Sequence, residues 1–394
     1  MLVQQSDWND NNRDLCDAIA LAIADNPTAR ITFAEYMDLV LYHPQHGYYA
    51  NNSVNIGPQG DFFTSPHLGT DFGELLAEQF FQIWEILEKP GNFTLLEIGA
   101  GQGLLAVDIL QYLQRQYPNF FAALEYVIVE KSIALKKEQQ QRLQGFPIRW
   151  CAFEEIPVAS LIGCCFSNEL VDAFPVHQFM IEQGKLKEIY VTTDNHNFVE
   201  VIGEASTSQL TKYFDLVGIN LPSEGYRSEI NLAALDWLSL VADRLQRGYL
   251  LTIDYGYSAE RYYNPARRQG TLQCYYRHRH HDNPYVHIGR QDITAHVDFT
   301  ALERWGELCG LEKIGFTQQG LFLMALGLGA RIAALSSNDA TGNREINQVL
   351  QRRDALHQLM NPMGLGGFGV LVQSKGLTEE EKAHVLKGLS MPEL

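Results

Sequence analysis

From residue 93 onward the chain alternates short apolar runs with longer stretches of helical periodicity, and this alternation constrains its fold more than any other feature. The runs are "FTLLEIG" (93–99), "EYVIVE" (125–130), "FPIRWC" (146–151), "SLIGCCFS" (160–167) and "GYLLTIDYG" (248–256). Helix-like segments at 103–117 and 132–144 separate the first three. Near-continuous apolar runs predict strands buried on both faces, and intervening helices let successive strands run parallel. The expected class is α/β, a parallel sheet covered by helices, with a core at 91–375. After 175 comes the β-like stretch "VHQFMIEQGKLKEIYVTT", with Gly184 at a hairpin turn. It reads as the start of an insertion at about 176–225, ahead of a helix at 231–246. A second insertion at 257–298 is rich in Tyr, Arg and His. The chain then returns to helix (299–309), strand (311–317), a helical excursion at about 319–362, a last strand near "FGVLVQS" (368–374) and a tail at 376–394. Residues 1–90 read as an N-terminal helical cap, with periodicity at 10–25 and 31–42 and a capping box from Thr32 to Glu35.

Hydrophobic residues make up 46% of the chain, enough for a sizeable core. The net charge of −17 argues against binding that tracks nucleic-acid phosphates and would attract a cationic substrate. The six cysteines show no C-x-x-C spacing; Cys164 and Cys165, adjacent in an apolar run, read as core residues. The longest apolar stretch, "LFLMALGLGARIAAL", is broken by glycines and Arg331 and is too short to span a bilayer. The polar N-terminus has no signal-peptide core. These features predict a cytoplasmic protein without stable membrane insertion.

In "LLEIGAGQGLLAVDIL" a strand runs into Gly99, Gly101 and Gly103 and a helix follows. Glycines there allow a sharp turn and a close backbone approach to a ligand. A dinucleotide fingerprint would need glycine at 104, where the chain has Leu104. The spacing is instead E-x-G-x-G-x-G, and Glu97 favours a ligand bearing an amine over a pyrophosphate. S-adenosyl-L-methionine has an ammonium, a sulfonium and no phosphate. Glu130, ending the second strand, can accept hydrogen bonds from two ribose hydroxyls; it could equally serve the helix start at Ser132. Beyond the third strand, Ala152 and Phe153 could frame an adenine, although a lone Phe is more often core.

Directly after "SLIGCCFS" stand Asn168, Glu169 and Asp172 in "FSNELVDAFP". Carboxylates at the mouth of a buried strand are costly unless paired or used. One reading makes Glu169 and Asp172, three apart, neighbours on a helical face that grips a cation; the other makes Asp172 a helix cap and Glu169 half of an ion pair. The histidines of "RHRHH" (277–281) are consecutive, so they point in different directions and do not read as a metal site.

The chain resembles the MidA family of class I S-adenosyl-L-methionine-dependent methyltransferases. The matching blocks are "YMDLVLYHPQHGYY" (36–49), "GDFFTSPHLGTDFGELLA" (60–77), "LLEIGAGQGLLAVDIL" (95–110), "VIVEKS" (127–132), "SNELVDAFPVHQF" (167–179), "LTIDYG" (251–256), "GTLQCYYRH" (270–278) and "DITAHVDFTAL" (292–302). It departs from the family at Ala100 and Gln102, where proline and arginine are usual, and at Ile288, where proline is usual. The resemblance implies a Rossmann-like seven-stranded sheet with an added N-terminal segment, and a cofactor site formed by Glu97, Gly99, Ala100, Gly101, Gly103, Glu130, Lys131, Ala152, Phe153 and Asn168. It adds Gly60, Asp61, Phe62, Thr64 and Ser65 of the "GDFFTSP" block to that site. It implies an arginine acceptor, because two carboxylates can hold a permanently protonated guanidinium; Glu169 and Asp172 take that role, with Asn168 orienting substrate or cofactor. Asp254, Tyr255, His278 and Asp298 are candidates for the acceptor channel, and Asp254, Tyr255 and Asp298 could equally be capping or structural residues. The family implies symmetric dimethylation of a subunit of a respiratory or NDH-type complex I during assembly. A different acceptor, or a cofactor-binding assembly chaperone with little turnover, are the competing readings.

Overall fold

The computed structural model describes residues 10–50, 64–195, 197–277, 279–336 and 343–391. Its centre is a sheet of seven strands: β1 (Phe93–Ile98), β2 (Leu124–Val129), β3 (Ile148–Cys151), β4 (Leu161–Asn168), β5 (Leu245–Asp254), β6 (Glu312–Gln318) and β7 (Gly369–Lys375). Their spatial order is β6-β7-β5-β4-β1-β2-β3. The strands from β3 across to β5 are parallel, and β7 is antiparallel to both its neighbours.

Period-two alternation along these strands sends side chains to opposite faces, so each face has its own core. Leu95, Cys164, Phe166, Tyr249 and Val372 join one cluster; Leu96, Cys165, Leu250 and Leu371 join another. The adjacent cysteines thus belong to different cores, as packing residues. Ten of the helices, in chain order, are α1 (Arg13–Asp25), α2 (Phe33–Tyr42), α3 (Asp71–Ile86), α4 (Leu104–Gln116), α5 (Ile133–Arg142), α6 (Leu232–Arg244), α7 (Phe299–Leu308), α8 (Gln319–Ala325), α9 (Leu328–Ser336) and α10 (Asn343–Met360). The first core draws on α3, α4, α8 and α10, the second on α6 and α7.

The expected capping box starts α2: Glu35 N–H donates to Thr32 Oγ1 (3.1 Å) and Thr32 N–H to Glu35 Oε2 (2.7 Å). The "VHQFMIEQGKLKEIYVTT" stretch forms the hairpin His177–Glu182 and Lys185–Asp194, turning at Gln183 and Gly184. This hairpin belongs to a separate antiparallel sheet with Ile31–Thr32, Asn197–Gly203 and Arg227–Ile230. A third small sheet pairs Gln273–Tyr276 with Arg279–His281 and Asp292–Thr294. Residues of α1 and α2, with Val191, Cys274 and Ile293, share one apolar cluster, so the N-terminal segment and both insertions pack as a unit. Among the described residues no helix is long and apolar enough to cross a membrane.

The helical excursion is tied to the core by charge. Asp71, buried at the start of α3, accepts from Arg331 Nη1 (2.7 Å) of α9 and from Arg352 Nε and Nη2 (2.8 and 2.7 Å) of α10. Burial acts to raise the Asp71 pKa, but these two guanidinium groups outweigh it and hold the carboxyl below its ordinary value. Its contribution is therefore present above the unfolded value near 4 and lost as pH falls. D71N should cost about 2 kcal/mol in urea unfolding at pH 7, and the gap to the wild type should close toward pH 3.

Candidate active site

The order of strands reverses between β1 and β4, and in parallel sheets a crevice opens at such a point above the C-terminal strand ends. Two cavities occupy this region. The first, of about 260 Å³, is lined by Glu97, Gly99, Ala100 and Gly101 after β1, Glu130 and Lys131 after β2, and Asn168 and Glu169 after β4, with Thr64 and Tyr49 closing over them. The second, of about 760 Å³, is lined by Asp172, Tyr255, Tyr275, Asp292, Thr294 and His296 among others. Glu169 and Tyr49 line both.

The glycine loop is held by its own geometry. Gly99 and Gly101 have φ of +72° and +52°, a region that side chains disfavour. A Cβ on Gly99 would lie 2.6 Å from Leu170 Cδ1, so the glycine lets this loop touch the loop after β4. Gly103 starts α4 without lining the cavity. Glu97 is buried and accepts from the Tyr126 hydroxyl (2.7 Å); burial pushes its carboxyl up to about 7. Glu130 accepts from Ser132 N–H (2.9 Å) and Gln139 Nε2 (3.1 Å), and Gln139 Nε2 also reaches the Gly101 carbonyl (2.8 Å). Each Glu130 oxygen retains capacity for a second hydrogen bond.

The loop after β4 is short and strained. Glu169 adopts φ +51°, and its N–H donates to the Ile253 carbonyl (2.9 Å) at the end of β5. Its Oε1 accepts from Ser65 N–H (3.2 Å) and Asn168 Nδ2 (3.1 Å). Burial pushes Glu169 up to about 8; the Ser65 N–H opposes this and the nearby Asp172 adds to it. Asp172 is raised by burial to about 6, with the Tyr255 hydroxyl acting against the shift. Its Oδ1, like Asn168 Oδ1, is buried without a hydrogen-bond partner among the described residues. The Tyr255 hydroxyl donates to Thr294 Oγ1 (2.5 Å), and the His296 ring meets Tyr255 edge-on (4.9 Å) and stacks on Tyr257 (5.0 Å). Burial lowers His296 to about 4, so it is neutral near pH 7.

Several expected residues lie elsewhere. Asp254 is fully buried and lines neither cavity: its Oδ2 accepts from the N–H groups of Leu170 (3.2 Å), Val171 (2.9 Å) and Asp172 (3.3 Å). It holds the loop from beneath instead of facing a channel. Asp298 likewise caps α7, taking Thr300 and Ala301 N–H groups at 3.0 and 3.2 Å, because the first helical turn needs an acceptor. Ala152 and Phe153 fall outside the first cavity, and the Phe153 ring packs on the core beside α6. Ser65 is buried and reaches the site only through its N–H. Asp172 sits in a 3₁₀ turn rather than an α-helix, so the pairing with Glu169 comes from that turn and the strained residue before it. Gly60, Asp61, Phe62 and His278 lie outside the described residues. Among the described residues no cluster of His, Cys, Asp and Glu could hold a metal ion. Tyr49, Tyr275, Asp292 and Thr294 were not anticipated; the first closes "YMDLVLYHPQHGYY" and the last two open "DITAHVDFTAL", so the matched blocks carried the signal.

A carboxyl whose pKa is higher in the folded chain than in the unfolded one makes the fold bind extra protons. Its cost is absent below the unfolded value near 4.3 and grows as pH rises toward the folded value, here about 8. E169Q removes the charge, so at pH 8 it should unfold at higher urea than the wild type, by on the order of 1–2 kcal/mol because the cavity keeps some water near the group. The difference should vanish below about pH 4; an unchanged gap across this range would show that Glu169 is not the group responsible.

Comparison with known proteins agrees with this geometry. Residues 75–317 match a family described as S-adenosyl-L-methionine-dependent methyltransferases. The chain is 30% identical to the mitochondrial protein arginine methyltransferase NDUFAF7 homolog of Drosophila melanogaster, over 86% of this chain and 80% of that one. Against the mitochondrial protein arginine methyltransferase NDUFAF7 of Homo sapiens the identity is 28%, over 86% and 78%. A COG1565 superfamily member from Burkholderia thailandensis, bound to S-adenosyl-homocysteine, superposes with a TM-score of 0.83 at 30% identity, covering 96% of this chain and 95% of that one. The cofactor is accordingly S-adenosyl-L-methionine. The chain belongs to this family of S-adenosyl-L-methionine-dependent methyltransferases.

Proposed function

We propose that the protein methylates an arginine side chain of a protein, with the cofactor in the first cavity and the acceptor in the second. The observation that carries this reading is the sharing of Glu169 by both cavities, with Asp172 on the acceptor side only. The first cavity fits the cofactor. Glu97 and Glu130 offer acceptors suited to an ammonium and to ribose hydroxyls, Gly101 leaves open space beyond its Cα, and the loop "GAGQG" carries no cation for a phosphate. Lys131, Thr64, Ala100 and Asn168 complete its wall. When bound, S-adenosyl-L-methionine supplies an electrophilic methyl group.

The chain's own residues then have three tasks. Glu169, whose Oε1 is engaged by Ser65 and Asn168, presents its remaining acceptor capacity at the boundary of the cavities. Asp172 Oδ1, lacking any partner among the described residues, can accept from a second nitrogen of the same guanidinium. Two carboxylates gripping a planar cation fix its orientation, and such positioning supplies roughly 7–11 kcal/mol of barrier reduction. The nitrogen gaining a methyl must lose a proton, and the carboxylate that holds that nitrogen at the boundary of the cavities, Glu169, is placed to take it while Asp172 keeps its hold on the second nitrogen. The aromatic walls, Tyr255, Tyr275 and Tyr49, favour a cation and exclude water.

A cation lowers both carboxyl pKa values, so its binding should release protons and tighten as pH rises from about 6 to 8. The relatives named protein arginine methyltransferase support the acceptor class. The resemblance to the MidA family extends the proposal to symmetric dimethylation of a complex I or NDH-type subunit during assembly. The test is methyl transfer from radiolabelled S-adenosyl-L-methionine into lysate of a strain lacking this protein, with mass spectrometry of labelled bands. A dimethylated arginine in a protein band supports the reading; label confined to small molecules defeats it. E169A and D172A should each lower transfer by about 10²-fold or more while cofactor affinity, measured calorimetrically, changes by less than about tenfold. Loss of cofactor binding in D172A would remove Asp172 from the acceptor side.

A further inference from the structure

A segment that borders the second cavity carries the sign opposite to that of the acidic chain. Residues 257–290 hold six arginines, no lysine and only two acids, Glu260 and Asp282, within a protein of net charge −17. Two of these arginines, Arg261 and Arg279, line the second cavity beside His280. Both are exposed, and among the described residues neither has a carboxylate partner. The others are engaged elsewhere: Arg290 pairs with Asp10 (2.9 Å), Arg268 donates to the Glu224 carbonyl (2.8 Å), Arg277 lies over the Tyr276 ring (4.9 Å), and Arg267 lies over the Tyr257 ring (4.0 Å) and donates to the Arg261 carbonyl. Arg261 sits 5.3 Å from that same ring centroid, so Tyr257 steadies its guanidinium. The cavity therefore carries carboxylates inward, at Glu169, Asp172 and Asp292, and uncompensated guanidinium groups elsewhere on its wall. A lone cation would be drawn by the first set and repelled by the second. A segment bearing a cation and a nearby anion satisfies both.

We propose that Arg261 and Arg279 form a subsite for an acidic side chain of the acceptor, so that the preferred substrate is a polypeptide segment with Asp or Glu within a few residues of the modified residue. The proposal rests on the reading of the second cavity as the acceptor site. Phe316, Pro362 and Met363, which also line the cavity, leave apolar surface for the remainder of such a segment; Met363 is 93% exposed. The patch is too small, and the chain too acidic, to track a nucleic-acid backbone.

Fluorescence anisotropy with the protein loaded with S-adenosyl-homocysteine tests this. The probes are short labelled peptides with a central Arg flanked on both sides by Asp, by Asn or by Lys, and an Asp-flanked peptide with Ala at the centre. The Asp-flanked Arg peptide should bind about tenfold tighter than the Asn-flanked one, and the advantage should shrink with salt. The double variant R261A/R279A should reduce that advantage to within about twofold, and R261E/R279E should prefer Lys flanks. Thermal unfolding of both variants checks that they fold. Equal affinity for all flanks, or a preference that survives both double variants, overturns the subsite. If Asp flanks matter but the central Arg does not, the subsite stands and the arginine reading fails; the reverse pattern spares that reading alone. An oligothymidylate that displaces the Asp-flanked peptide at lower concentration than unlabelled peptide does would assign the patch to nucleic acid. No binding by any peptide at millimolar concentration overturns both.

Discussion

The site hangs on one buried carboxylate. Asp254 closes β5 and receives three successive N–H groups from Leu170, Val171 and Asp172, while its other oxygen takes the N–H of Tyr255 (2.9 Å). Without this acceptor the three amides of a short turn would be buried and unpaired, since the turn has no room for a full helical ladder. The anchoring has two consequences. It fixes Glu169 in a left-handed conformation that the residue would not adopt freely, and it places Asp172 beside a second carboxyl. Burial and the neighbouring Asp172 push Asp254 upward, and the backbone donors act in the opposite sense. A turn tied to the last residue of an adjacent parallel strand moves only if the sheet moves.

Electrostatics explains why such an arrangement is kept. Glu97, Glu169 and Asp172 are all raised by burial, so each destabilises the empty fold at neutral pH. A carboxylate that the fold supplies with its own cations behaves otherwise: Asp71, gripped by two arginines, is held low. Groups whose environments raise the pKa without offering a cation are complementary to a cation from outside. The sulfonium and ammonium of the cofactor are such groups, and a guanidinium acceptor would be another.

Much of this was legible in the sequence for a definite reason. Strand ends on a parallel sheet converge at one edge, so any polar residue ending an apolar run is brought there; Glu97, Glu130 and Asn168 follow from that rule alone. The rule does not say which acid lines the cavity and which supports it. Asp254 and Asp172 both follow a buried strand, yet one is an anchor and the other faces the cavity, because the difference depends on which neighbour has free N–H groups. Asp298 shows the same ambiguity resolved toward capping. The wall of the second cavity was hidden more deeply. Tyr49, Tyr275, Asp292 and Thr294 come from an N-terminal turn and a small sheet in an insertion, where the strands pair out of chain order, with Gln273 opposite Thr294. No periodicity encodes a register between segments so far apart.

The two cavities thus have different origins within one chain. The first is made by the ends of β1, β2 and β4, whose positions are fixed by two cores on either side of the sheet. Much of the second is made by the 257–298 segment, which shares a core with α1 and α2. A substitution in that peripheral core can shift Tyr275 or Asp292 without disturbing the strands that end at Glu97 and Glu130, because the clusters have no member in common. The two cavities can therefore change separately, with Glu169 as the constraint they share. It cannot follow both: its backbone is bonded to β5 and its carboxylate to Ser65, so the wall of the second cavity must be built to meet Glu169 where the sheet puts it.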